Sequence, residues 1–135
     1  MEALHPPTAS PTPRSFPAVL TAQGRGGSLL FNASKAAFNP GAGFGAYAIA
    51  KAAVVSFTRG LANELGTHNV NVNAIAPGAT KTRFQPPAEM AAMMPLGRVN
   101  EPDDIADTVV FLASEESRNI SGQLITVASG RNPSL

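Results

Sequence analysis

Cysteine is absent from this 135-residue chain, which excludes disulfides, thiolate nucleophiles and zinc sites built on sulfur and is compatible with a reducing cytoplasm. Histidine is scarce: His5 and His68 are too few and too isolated for a metal cluster, so no metal is expected. Net charge is nearly absent too. Ten basic side chains face nine acidic ones, giving +1, and this leaves no electrostatic reason to expect nucleic acid or an anionic membrane. No apolar run approaches the roughly 18 residues that span a bilayer, and the opening Met1-Glu-Ala-Leu-His-Pro-Pro7 lacks the basic and apolar regions of a signal peptide. A soluble, cytoplasmic chain with a single core is the expectation.

Between these absences lies an ordered series of segments. Residues 1–15 carry Pro6, Pro7, Pro11 and Pro13 among Ser and Thr, a composition expected to form a disordered tail instead of a helix or sheet interior; residues 131–135 are expected to form a second tail. Phe16 to Gln23 can make about two helical turns before Gly24, Gly26 and Gly27 stop it. Ser28 to Asn32 is an apolar run without alternation, the pattern of a strand buried on both faces. Lys35 to Gly45 is read as a loop. From Ala46 to Leu65, Ile49, Ala53, Val54, Phe57, Leu61 and Leu65 follow helical spacing, and Gly66 supplies a stop.

Val70, Val72 and Ala74 then alternate with Asn69, Asn71 and Asn73, predicting a second strand over about 69–76. Residues 79–98 read as a long loop with a helical turn, whose Phe84, Met90, Met93 and Met94 offer an adaptable apolar surface suited to covering a ligand. A further helix starts near Pro102, with Asp103 and Asp104 in its first turn, and Leu124 to Ala128 forms a third strand. Strand, helix, strand, helix, strand predicts right-handed crossovers onto a parallel sheet, an α/β fold with about three strands and two to three helices.

Chemistry concentrates at Tyr47, the chain's only tyrosine, and Lys51. Residues four apart share a helix face, so the ammonium can sit beneath the phenol. A phenol ordinarily loses its proton near pH ~10, and a fixed positive charge lowers that toward the working range of a general acid or base. Ser34 stands thirteen residues earlier, at the exit of the first strand, the edge of an open parallel sheet where ligands bind. Hydroxyl, phenol and ammonium could thus converge on one carbonyl or alcohol oxygen.

The arrangement resembles the short-chain dehydrogenase/reductase family, and the likeness continues through Gly26-Gly-Ser-Leu-Leu-Phe-Asn-Ala-Ser34, Tyr47-Ala-Ile-Ala-Lys51, Val72-Asn-Ala-Ile-Ala-Pro-Gly78, Pro95-Leu-Gly-Arg98, Glu101-Pro-Asp-Asp-Ile-Ala106, Phe111-Leu-Ala-Ser114 and Ser121-Gly-Gln123. It implies that residues 16–130 form the C-terminal half of a Rossmann-like, doubly wound domain. The implied reaction is an NAD- or NADP-dependent interconversion of an alcohol and a carbonyl. By the same resemblance Tyr47 gives or takes the proton, Ser34 hydrogen-bonds the substrate oxygen, and Lys51 lowers the Tyr47 pKa and holds the nicotinamide ribose. Pro77, Gly78, Thr80 and Thr82 would lie against the nicotinamide, although turn chemistry is an alternative for the two threonines. The stretch Lys35 to Gly45 resembles a subgroup fused to sugar-phosphate aldolases, which implies a small polyol or sugar-like substrate. Family members commonly pair through the helix at 46–65, implying a homo-oligomer or association with a full-length relative.

Three departures qualify the resemblance. The family's Thr-Gly-x-x-x-Gly-x-Gly loop, which lets backbone approach a pyrophosphate, has no match. Gly41-Ala-Gly-Phe-Gly45 imitates it, yet does not follow its strand directly. The asparagine that the family places upstream of its serine is also missing, since residues 1–31 contain none, and Val127-Ala-Ser-Gly130 replaces the usual Val-Asp-Gly-Gly. The alternative expectation is therefore a truncated chain that binds no dinucleotide alone.

Overall fold

The computed structural model describes residues 16–83 and 85–131. The proline-rich tail, His5, the expected contribution of Phe84 to the 79–98 surface and the end of the carboxyl-terminal tail lie outside the described residues. Helix α1 (Phe16–Gln23) leads into strand β1 (Gly27–Asn32), helix α2 (Gly45–Leu65), strand β2 (Val70–Pro77), helix α3 (Pro102–Ala113) and strand β3 (Leu124–Val127), with short 3-10 turns between them. The three strands form one parallel sheet in the order β1-β2-β3. Leu29 aligns with Val72 and Phe31 with Ala74, while Pro77 aligns with Val127.

Glycine is required where β1 begins. At Gly26, with φ 72, a Cβ would lie 2.3 Å from the Asn69 carbonyl oxygen, so only a bare backbone lets β1 enter beside the turn that starts β2. Gly27 N–H then donates to that same oxygen at 3.2 Å. The register set here carries forward to the other end of the sheet.

α2 buries Ala48, Val55, Thr58, Leu61 and Leu65. Leu61 and Leu65 pack on Val70 and Val72, with Leu20 of α1 and Leu29 against them, and Val55 packs with Ala33 and Ala74. Ile49 and Phe57, expected on the core-facing stripe, are 73% and 55% exposed. The helix carries two adjoining apolar stripes; one packs into the core, whereas the other touches the sheet only where the Phe57 ring meets Phe31 of β1 edge-on, with centroids 5.5 Å apart.

α3 begins at Pro102 after Glu101, whose backbone N–H donates to the Asp104 carboxylate at 2.8 Å, satisfying an otherwise orphaned group at the helix start. It lies on the face opposite α2. Val70, Val72 and Ala74 point toward α2, whereas Asn71 donates to the Arg118 carbonyl at 3.0 Å and Asn73 to the Ile120 carbonyl at 2.7 Å in the segment that follows α3. Asn73 is wholly buried, and its side-chain oxygen accepts from Gln123 N–H at 3.0 Å, so its amide is satisfied at both ends. Helices thus cover both faces, as a doubly wound sheet requires. Because β1→β2 and β2→β3 step in the same direction with their helices on opposite faces, the two crossovers have opposite hands. The expectation that both are right-handed fails for one of them: with α2 making the usual right-handed connection, the connection through α3 is left-handed.

Candidate active site

The site forms where the strands end. Ala33 N–H donates to the Ile75 carbonyl at 2.8 Å, holding β1 to β2 for one residue past the strand. Ser34 then turns away and caps the 3-10 turn Lys35–Ala37, accepting from Ala36 N–H at 3.2 Å. This occupies one lone pair. Among the described residues no partner takes the Ser34 hydroxyl proton.

Tyr47 lies in the first turn of α2 and is 45% exposed. The Phe44 ring meets it edge-on, with centroids 6.1 Å apart. One turn farther, Lys51 Nζ donates to the Asn32 carbonyl at 2.8 Å and lies 5.8 Å from the centre of the Tyr47 ring, within cation–π reach. The ammonium is therefore anchored on the last residue of β1 while it stands beside the phenol at the start of α2.

On the neighbouring strand, Gly78 N–H donates to the Val127 carbonyl at 2.8 Å, and a Cβ at Gly78 would lie 2.7 Å from that of Ala128. A side chain there would force β2 and β3 apart at the mouth of the site. The Thr80 hydroxyl donates to the Gly78 carbonyl at 3.1 Å, the turn chemistry named above as its alternative. Beyond it Lys81 N–H reaches the Asn100 carbonyl and Asn100 N–H the Ala79 carbonyl, each at 2.9 Å. Asn100 is 2% exposed, donates to the Val127 carbonyl at 2.5 Å and accepts from the Ser129 hydroxyl at 2.8 Å. One buried amide thereby ties the segment after β2 to the end of β3. Ser129, at the carboxyl-terminal departure from the family pattern, supplies its second anchor.

These strand ends enclose a cleft of about 470 Å³ lined by Ser34, Tyr47, Pro77, Gly78, Thr80 and Thr82 together with Asn32, Phe44 and Met90. A second lobe of about 360 Å³ shares Ser34, Tyr47, Pro77 and Gly78 and extends to Lys35 and Asn39. The structure brings every residue singled out from sequence to this cleft except Lys51, which sits behind Tyr47. Asn32, Phe44 and Asn100 escaped sequence reasoning. Their roles depend on a backbone carbonyl, a ring edge and a buried amide, none of which has a local pattern. The methionines divide, with Met90 lining the cleft, Met94 buried and Met93 63% exposed.

The cleft's donors and its open, half-apolar wall fit the nicotinamide end of NAD or NADP. No glycine-rich turn directly after a strand is present among the described residues: Gly41 to Gly45 lie beyond the Lys35–Ala37 turn and lead into α2. The pyrophosphate and adenosine end thus finds no counterpart there. No helix among the described residues is long and apolar enough to cross a membrane.

A layered α/β sheet with helices on both faces and a cleft at its carboxyl edge defines a Rossmann-like domain. The family described as Enoyl-(Acyl carrier protein) reductase matches residues 13–132. Dehydrogenase/reductase SDR family member 4 of Caenorhabditis elegans is 39% identical over 116 residues, covering 78% of this chain and 45% of the relative. Among solved structures, a short-chain type dehydrogenase/reductase from Mycobacterium ulcerans superposes with a TM-score of 0.77 at 36% identity, over 85% of this chain and 46% of that one. A short chain dehydrogenase from Mycobacterium paratuberculosis bound to NAD gives 0.70 at 33% identity, over 82% and 46%. The chain belongs to the short-chain dehydrogenase/reductase family of oxidoreductases, and it spans less than half the length of these relatives.

Proposed function

We propose that the cleft interconverts an alcohol and a carbonyl with NAD or NADP, using Ser34, Tyr47 and Lys51. The observation that carries this reading is that Ser34 and Tyr47 line one cavity while the tether of Lys51 to Asn32 holds the ammonium beside the Tyr47 ring. In the reducing direction Tyr47 donates its hydroxyl proton to the carbonyl oxygen as that oxygen gains charge, and in the oxidising direction it takes the proton back. Ser34 donates a hydrogen bond to the same oxygen, and the Lys51 ammonium, 5.8 Å from the Tyr47 ring centre, keeps a positive charge beside the site of proton exchange. Bound NAD(P) supplies the hydride exchange; Lys51 and Tyr47 would hold its ribose, with Pro77, Gly78, Thr80 and Thr82 along the nicotinamide. The NAD-bound relative supports the cofactor assignment. The polyol or sugar-like substrate rests on the Lys35 to Gly45 stretch, and the cytoplasmic setting on the absence of cysteine. Residues 16–130 are the unit that corresponds to the family's catalytic half.

Calorimetric titration with NADH and NADPH tests the reading directly. Micromolar binding, with turnover lost in Tyr47→Phe, is the expected result; unchanged turnover in that variant removes Tyr47 from the mechanism. The outer edge of β1, which has no strand partner among the described residues, favours a second reading. In it the chain binds no dinucleotide alone and associates with another copy or with a full-length relative. Binding of NAD(P) by the isolated chain would overturn that second reading.

A further inference from the structure

Behind the cleft lies a smaller cavity of about 190 Å³ whose walls include Gly78, Ala79, Met90 and Met94, with Lys35 and Arg131 both facing it. No acidic residue lines it. Described carboxylates pair Glu101 with Lys81 and Asp104 with Arg98, and among the described residues neither cation at this cavity is matched by a carboxylate. Two like charges at one small, largely apolar cavity are unfavourable without a counter-ion, and a pairing made there is strengthened by the low local dielectric. Lys35 is held below the ordinary lysine range, first by burial and then by the charge of Arg131.

The chain builds this arrangement deliberately at its carboxyl-terminal side. Ser129 and Gly130 both take positive φ, 50 and 82, and the turn closes with Arg131 N–H on the Ala128 carbonyl at 2.9 Å. A Cβ at Gly130 would meet Pro95 at 2.9 Å, so glycine is needed for the turn to sit against the 79–98 segment. The cavity shares Gly78, Ala79 and Met90 with the main lobe and Lys35 with the second lobe. Lys35 also directly follows Ser34, so an anion held there would be only a few carbons from the oxygen that Ser34 and Tyr47 address.

We propose that Lys35 and Arg131 form a recognition site for an anionic end of the substrate, a carboxylate or a phosphate, beside the reacting carbon. Resting on the assignment of the cleft as the substrate site, this narrows the substrate to a short hydroxy or keto acid or a phosphorylated polyol. Neutral alcohols would leave both cations unpaired.

Calorimetry on the full chain at low ionic strength with glucitol, gluconate and glucitol 6-phosphate separates the possibilities, because the three probes share a polyol and differ in the terminal group. Gluconate or the phosphate ester should bind at least tenfold more tightly than glucitol, and whichever binds more tightly identifies the anion. Lys35→Gln and Arg131→Gln should each remove most of that advantage over glucitol. Equal binding of all three, no binding of either anion, or anion binding indifferent to both substitutions overturns the proposal. The measurement needs no turnover, so it can fail while the Tyr47→Phe experiment upholds the redox reading, or succeed while that experiment removes it.

Discussion

The carboxyl ends of the strands and the flank formed by β1 and the outer face of α2 are finished to different degrees. At the strand ends, Asn100 satisfies its amide on Val127 and Ser129, Ala33 pairs with Ile75, and Lys51 is bound to Asn32. Along the flank, Ile49 is 73% exposed, Phe57 is half-exposed beside Phe31, and β1 has a bare outer edge among the described residues. The contrast shows that the geometry around Ser34 and Tyr47 is set by contacts within this chain. The flank instead exposes groups that ordinarily find partners.

The largest expected effect probes the finished end. Tyr47→Phe should lower turnover by about 10²- to 10⁴-fold, with little change in stability because among the described residues no hydrogen bond depends on its hydroxyl; steady-state kinetics and a melting curve read the two separately. Asn100→Ala comes next. It leaves the buried Ser129 hydroxyl without its acceptor and the Val127 carbonyl with Gly78 N–H alone, and should cost about 1–3 kcal/mol in denaturant unfolding, with the segment after β2 loosened as well. At the unfinished flank, Ile49→Asp should change the stability of the monomer by no more than about 0.5 kcal/mol while shifting any associated species toward monomer in sedimentation. A stability loss as large as that of Asn100→Ala would show that the two regions are not so different after all.

The smallest effect concerns Lys35. An unfolded lysine keeps its proton up to about 10.5, whereas the folded chain releases the Lys35 proton at lower pH. Between those values the unfolded state binds more protons, so stability rises with pH across that window. Lys35→Met should flatten that rise in Tm and be slightly more stable than the parent below it, although anion binding is lost.

Much of this was legible in the chain because local pattern and long-range structure agree. Gly45–Leu65 forms the helix that its spacing predicts, and Val70–Pro77 the strand, each within a residue or so of the expected limits. Periodicity could not say which of two neighbouring stripes on α2 packs into the core: Ile49 and Phe57 satisfy helical spacing as well as Leu61 and Leu65 do, and only the position of β2 decides. The alternating asparagines of β2 revealed a strand and concealed their use, since the carbonyls that receive Asn71 and Asn73 come from a segment nearly fifty residues onward. Crossover hand was illegible for a similar reason, as it depends on which face α3 reaches. At the site, hydroxyl, phenol and ammonium announced themselves by type and spacing. Lys35 with Arg131 did not, because nothing in the sequence places residues so far apart at one cavity.

The hydrogen bond from Lys51 to the Asn32 carbonyl acts as a strut between the strand that delivers Ser34 and the helix that delivers Tyr47. Separation of the two oxygen-bearing groups is therefore decoupled from the intervening peptide, whose Asn39-Pro-Gly41 stretch is exposed. That peptide becomes an interchangeable cassette: its length and side chains can be rewritten to reshape the second lobe of the cleft without retuning the distance on which proton transfer depends.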